Sequence, residues 1–136
     1  MPRHPRILVV DDEPLIRELV ADALSETGFD VHSAASGVQA LDLLRRWLPQ
    51  AIVLDLMMPQ MDGFGEALRR DPRLASIPVL LVTAAHAPHD AAQRMRARAV
   101  LPKPFEIDDL LDLVIELAGE PSPRGRPHDL YAGEAR

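Results

Sequence analysis

The sequence predicts an α/β domain with a parallel sheet covered by helices on both faces. Two observations carry this. Short strand-like runs recur five times, and those at 7–10, 51–54 and 78–82 are nearly unbroken and apolar, dense enough to be buried on both faces. Each is followed by a segment with helical spacing, and strict strand–helix alternation forces parallel pairing through crossover connections.

Ile7-Leu-Val-Val10 is the first strand. Pro14 suits the first position of a helix, in which Leu15, Ile16, Leu19, Val20, Ala23 and Leu24 repeat at helical spacing until Gly28 stops it. Val31–Ala35 is a weaker strand, and its His32 and Ser33 place it near the sheet edge. Ser36 with Gln39 forms a capping box for a helix that carries Ala40, Leu41, Leu43, Leu44 and Trp47 and ends at Pro49. Ala51–Asp55 is the third strand, followed by a short helix over Phe64–Arg70 that Asp71-Pro72 closes. Pro78–Thr83 is the fourth strand, Asp90–Arg98 a polar, arginine-bearing helix, and Ala99–Leu101 the fifth strand. Ile107, Leu110, Leu111, Val114 and Leu117 share one side of the last helix, which Gly119 ends.

The 136 residues suffice for one domain with a real core, assigned to 1–119, and 47% are hydrophobic and 26% charged. Residues 120–136, rich in Pro, Gly and Arg, read as a flexible tail or the start of a linker. A net charge of −6 argues against nucleic acid as a direct partner. The absence of cysteine excludes disulfides and thiolate metal sites. The apolar run after the N-terminus is too short for a signal peptide or a membrane span, so a cytoplasmic protein is expected.

In such a sheet, ligands bind beyond the carboxyl ends of the strands. The residues there are Asp11 and Asp12, then Asp55, then Thr83 and Ala84, then Lys103-Pro104. Three carboxylates in contact repel, each pair by about 4 kcal/mol at ~4 Å and an effective dielectric near 20. Such a cluster takes up a proton or a cation. An all-oxygen set with few protein ligands favours Mg²⁺. Lys103 suits a phosphate oxygen or a carboxylate, and Thr83 can donate a hydrogen bond to the same oxygens. Together these groups fit phosphoryl transfer to a carboxylate.

With these residues in view, the chain resembles the receiver domain of two-component response regulators. The resemblance rests on Ile-Leu-Val-Val-Asp-Asp-Glu-Pro at 7–14, Val-Leu-Asp-Leu-Met-Met-Pro-Gln-Met-Asp-Gly at 53–63, Val-Thr-Ala-Ala at 82–85 and Lys-Pro-Phe at 103–105. It implies a flavodoxin-like fold, five parallel strands in the order 2-1-3-4-5. It implies that Asp55 accepts a phosphoryl group from a sensor histidine kinase or a histidine phosphotransfer protein. Asp12 would ligate Mg²⁺ directly, Asp11 through water, and Asp55 and the Met57 carbonyl would complete the protein ligands. Thr83 would bond a phosphoryl oxygen and shift when it arrives, Lys103 would pair with Asp55 or the phosphate, and the Lys103–Pro104 bond would be cis. Ala84 would leave room for the phosphoryl group, and Pro59 and Gly63 would shape a loop passing close to the site. The downstream protein target would be met by the fourth helix, fifth strand and fifth helix, by a stand-alone monomer or a phosphorylation-dependent dimer. Such a protein is a switch more than an enzyme.

Singly, these residues have blander roles: Asp55 as a turn residue, Asp11 or Asp12 as a helix N-terminal acid, Thr83 as a strand residue, Lys103 as a surface cation. Met57, Met58 and Met61 read as core filler, Arg94, Arg96 and Arg98 as a solvated face, and the five histidines show no metal spacing. Two features depart from the family's pattern: the helix after Gly63 and the span from Thr83 to Lys103 are each slightly short, so a short fourth helix is expected, and the switch position differs. The position two before the lysine, a switch residue that is usually Tyr or Phe, is Leu101. That departure supports the alternative of a degenerate receiver acting as a phosphorylation-independent binding module. A haloacid-dehalogenase-type phosphohydrolase would need a second acid where Met57 stands, and no Gly-rich phosphate loop follows any strand.

Overall fold

A computed structural model describes residues 4–56, 58, 61–84 and 90–122. Five strands, β1 (Arg6–Val10), β2 (Asp30–Ala34), β3 (Ala51–Asp55), β4 (Val79–Thr83) and β5 (Ala99–Pro102), form one parallel sheet in the order β2-β1-β3-β4-β5. The helices are α1 (Pro14–Thr27), α2 (Gly37–Leu44), α3 (Met61–Arg70), the single turn α4 (Pro72–Ala75), the short α5 (Ala91–Arg94) and α6 (Ile107–Ala118).

Alternation along the strands divides the core into two layers. Leu8, Val10, Ile52, Leu54 and Leu81 pack towards α2, α3 and α5 with Leu44, Phe64, Leu68 and Met95. Ile7, Val9, Val53, Leu80 and Val82 pack towards α1 and α6 with Val20, Leu24, Phe29, Leu110 and Val114. Each buried aliphatic side chain contributes about 1.5–3 kcal/mol of transfer free energy. Strands β3 and β4 are buried at all five positions each, which accounts for their near-unbroken apolar composition.

β2 lies at the sheet edge, as its polar residues imply, and His32 stacks on Trp47 with ring centroids 4.1 Å apart. The Ser36 hydroxyl accepts from the Gln39 amide at 3.1 Å; the reciprocal Gln39 contact goes to the Ala35 amide rather than to that of Ser36. The α1 stop holds as expected: Gly28 adopts φ 120°.

Strand bounds shift by a residue, as in β2, which runs Asp30–Ala34 rather than 31–35, and the larger differences from the sequence reading are in the helices. α2 ends at Leu44 and tightens into turns, with the amides of Arg46 and Trp47 both donating to the Leu43 carbonyl. α3 begins three residues before Phe64, because Met61 is buried and continues the stripe of Phe64 and Leu68. Asp71-Pro72 closes α3 but also opens α4, with the Asp71 carboxylate accepting from the Arg73 amide at 2.9 Å. α5 stops at Arg94 because Arg96 takes φ 52° and Arg98 already donates to the Val79 carbonyl, at 2.8 Å, at the start of β5. Beyond Gly119, the Ser122 carbonyl closes over Gly28, where a Cβ would come within 2.3 Å of its oxygen. The remainder of the expected tail, 123–136, lies outside the described residues.

Candidate functional site

The register brings the strand-end residues to one edge. Asp55 pairs with Val82 and Thr83 with Pro102, so Thr83 and Lys103 extend just past Asp55 at the same carboxyl edge of the sheet. The Lys103 amide donates to the Thr83 carbonyl at 2.6 Å, which holds the turn after β5 against the end of β4. The Asp11 amide donates to the Ala34 carbonyl at 3.1 Å, so the acidic turn begins inside the sheet ladder.

Asp11 and Asp55 are only 6% and 4% exposed, whereas Asp12 is open to solvent. One carboxylate oxygen from each of the three lies within 4.8 Å of the others. Lys103 Nζ stands 3.4 Å from Asp55 Oδ1. Asp11 Oδ1 accepts from the Glu13 amide at 2.9 Å, and Arg17 donates to the Asp11 main-chain carbonyl at 2.9 Å. The Asp11 carboxyl is raised to about 6, mainly by burial and also by the charge and hydrogen bonding of Asp55, against the opposing pull of the Glu13 amide and Lys103. One lysine therefore does not offset the cluster. This donor set, three carboxylates with one open to solvent, fits a hard divalent cation that retains water.

Ala84 and Lys103 line a cleft of about 430 Å³ with Glu13, Ile16, Leu19 and Phe105, so the acidic edge opens onto a partly apolar surface. Thr83 is buried at the end of β4, the Lys103–Pro104 bond is cis, and Leu101 is buried in the layer beneath α6. Two of the expected site residues, Met57 and Pro59, lie outside the described residues. Gly63 departs from expectation. It sits in the first turn of α3 with nothing within 4 Å of where a Cβ would stand, so no close backbone approach requires it. The tight glycine is Gly65, where a Cβ would come within 2.7 Å of Met95 Sδ. Arg17 was not legible as a site-supporting residue, because it acts through the Asp11 main-chain carbonyl.

Fold and site together define a doubly wound domain whose strand-end aspartate is set between acidic partners and a lysine. Residues 7–115 match the response regulator receiver domain, and the chain belongs to that family. It is 42% identical over 111 residues to the DNA-binding dual master transcriptional regulator RpaA of Synechocystis, covering 79% of this chain and 46% of that protein. It is 38% identical over 124 residues to the response regulator MprA of a Mycobacterium species, covering 90% of this chain and 54% of that one. The chain thus spans about half the length of these curated relatives. Among solved structures it resembles the chemotaxis response regulator CheY4 of Vibrio cholerae, with a TM-score of 0.77 and 29% identity over 84% of this chain and 98% of that one. A putative response regulator from Chloroflexus aurantiacus gives the same TM-score and identity, covering 97% of that chain. Receiver domains are signalling switches in phosphorelay. Among the described residues, no helix is long and apolar enough to cross a membrane.

Proposed function

We propose that Asp55 is the phosphoacceptor of this receiver and that the acidic edge around it works with Mg²⁺. The observation that supports this best is the setting of Asp55: 4% exposed, within 4.8 Å of carboxylate oxygens of both Asp11 and Asp12, and 3.4 Å from the Lys103 ammonium. Asp11, Asp12 and Asp55 would hold the ion. Bound there, it would neutralise the carboxylates and the charge on the transferring phosphoryl oxygens.

The chain's own residues then divide the work. An Asp55 carboxylate oxygen attacks phosphorus; the P–N bond of a partner's phosphohistidine breaks, and the imidazole leaves with its electron pair. Lys103 exchanges its pairing with Asp55 for one with the incoming phosphoryl oxygens, and the Thr83 hydroxyl donates to another of them. Ala84 keeps the approach open. Hydrolysis by water returns the free carboxylate and releases phosphate. The added charge biases a pre-existing equilibrium between two conformations, which a downstream protein reads on α5, β5 and α6. The proposed setting is the cytoplasm, with a sensor histidine kinase or histidine phosphotransfer protein as donor.

The test is substitution with retained fold. Asp55→Asn should take no phosphoryl group from a small-molecule phosphodonor while keeping its circular dichroism and melting profile. Phosphorylation of that variant at the wild-type level would overturn the assignment. Leu101 favours the second reading, a binding module indifferent to phosphate, and a partner bound equally by wild type and Asp55→Asn would establish it.

A further inference from the structure

Away from the acidic edge, a second constellation joins the segments that follow the two central strands. Asp62, in the first turn of α3, stands seven residues after Asp55, and Asp90, before α5, stands seven after Thr83. Arg94 bridges them. Its Nη1 donates to both Asp62 oxygens at 3.1 and 3.2 Å, and its Nε lies 3.4 Å from Asp90. Arg69, the penultimate residue of α3, donates to the Arg94 carbonyl at 2.6 Å, so the main chain at the end of α5 is held as well as the side chain. Beneath this network Met95 is buried over Gly65, and a Cβ there would meet its Sδ at 2.7 Å and its Cε at 2.9 Å. α5 has a single turn whose buried Ala91 packs in the core, and these contacts add to what holds it there.

Leu101 removes the aromatic side chain expected to couple Thr83 to the surface, and a buried aliphatic residue in its place has no polar group to exchange. We propose that the Arg94–Asp62 pair, seated by Met95 on Gly65, is the relay in this chain: it favours the unphosphorylated arrangement of α5 and is released when Asp55 is phosphorylated. This rests on the reading of Asp55 as phosphoacceptor. Releasing the clamp in advance lowers the cost of reaching the phosphorylated arrangement, so the two events are reciprocally coupled. An exposed ion pair shifts such an equilibrium modestly, by about two- to fivefold.

The experiment reads two quantities in Asp62→Asn, Arg94→Gln, the double variant and Gly65→Ala. These are backbone amide exchange across residues 90–98 without phosphodonor, and the rate of phosphoryl gain from acetyl phosphate with Mg²⁺. Each single variant should speed exchange in that segment alone and raise the phosphorylation rate about two- to fivefold. The double variant should do no more than Arg94→Gln alone, because Asp62→Asn removes an interaction that Arg94→Gln has already removed. Arg46→Gln, which breaks the exposed pair between Asp42 of α2 and Arg46 in the turn after it, should change neither quantity. Unchanged exchange in the single variants, or faster exchange with an unchanged phosphorylation rate, overturns the relay. Wild type that gains no phosphoryl group overturns the reading of Asp55, and the relay falls with it, while the exchange data still report whether the clamp exists.

Discussion

Lys103 Nζ and Asp55 Oδ1 meet at 3.4 Å although β4 lies between their strands in the sheet. The lysine reaches across because its amide is tied to the Thr83 carbonyl at the end of β4. Its ammonium is thus held over a carboxylate whose other close neighbours, Asp11 and Asp12, are of like charge.

Removing that ammonium should separate chemistry from signalling. Lys103→Ala should still accept some phosphoryl group, but the acylphosphate should no longer drive the conformational change. Amide exchange across α5 and β5, with and without beryllofluoride, checks this; a native-like shift in the variant contradicts the role given to Lys103.

The buried carboxyl of Asp11 sets a pH dependence. Its folded value of about 6 lies above the ordinary 3.8, so the folded state binds the extra proton across that interval. Without divalent cation, this group's contribution to stability falls as pH rises through that window and is most favourable below it. Cation binding runs the other way, because Asp11 must be deprotonated to take part. Mg²⁺ affinity measured calorimetrically should be level above pH 7 and fall as pH drops below about 6. An affinity unchanged down to pH 5 contradicts the account.

Asp11→Asn should show the two effects separately. It removes a desolvated charge that is repelled by Asp55, so metal-free protein should melt at a higher temperature than wild type. Its Mg²⁺ affinity should drop on the order of tenfold or more, in line with loss of an orienting partner in a metal site. A variant that melts lower without metal would show that the cluster is not under electrostatic strain.

The sheet itself should be sensitive at its centre. Leu81 is fully buried in β4 among the side chains beneath α2 and α3. Leu81→Ala should cost about 2–5 kcal/mol in denaturant unfolding through lost transfer energy and the cavity left behind.

The parallel sheet with helices on both faces and the meeting of Asp11, Asp12, Asp55 and Lys103 were legible from the alternation of apolar runs with 3.6-residue patterning, because ligands gather at the carboxyl ends of such strands; the strand order came from the family resemblance. The helix after the acceptor strand was read short because Asp62-Gly63 has turn chemistry, whereas burial of Met61 beneath the sheet decides its start. α5 was read long because Arg96 looks like an ordinary helical residue; the need to enter β5 by Arg98 forces it to positive φ. Gly63 was expected to allow a close approach and Gly65 carried no expectation, since one-dimensional pattern does not show which glycine faces Met95. The Arg94–Asp62 pair spans 32 residues, and no local spacing announces it.

The central claim is that Asp55 takes a phosphoryl group with the help of the surrounding carboxylates. Intact-mass spectrometry after incubation with Mg²⁺ and acetyl phosphate tests it most directly, beside Asp55→Asn and a metal-free control. The account predicts one phosphoryl adduct on wild type and none in either control. An adduct of equal yield on Asp55→Asn, or one indifferent to Mg²⁺, would contradict it.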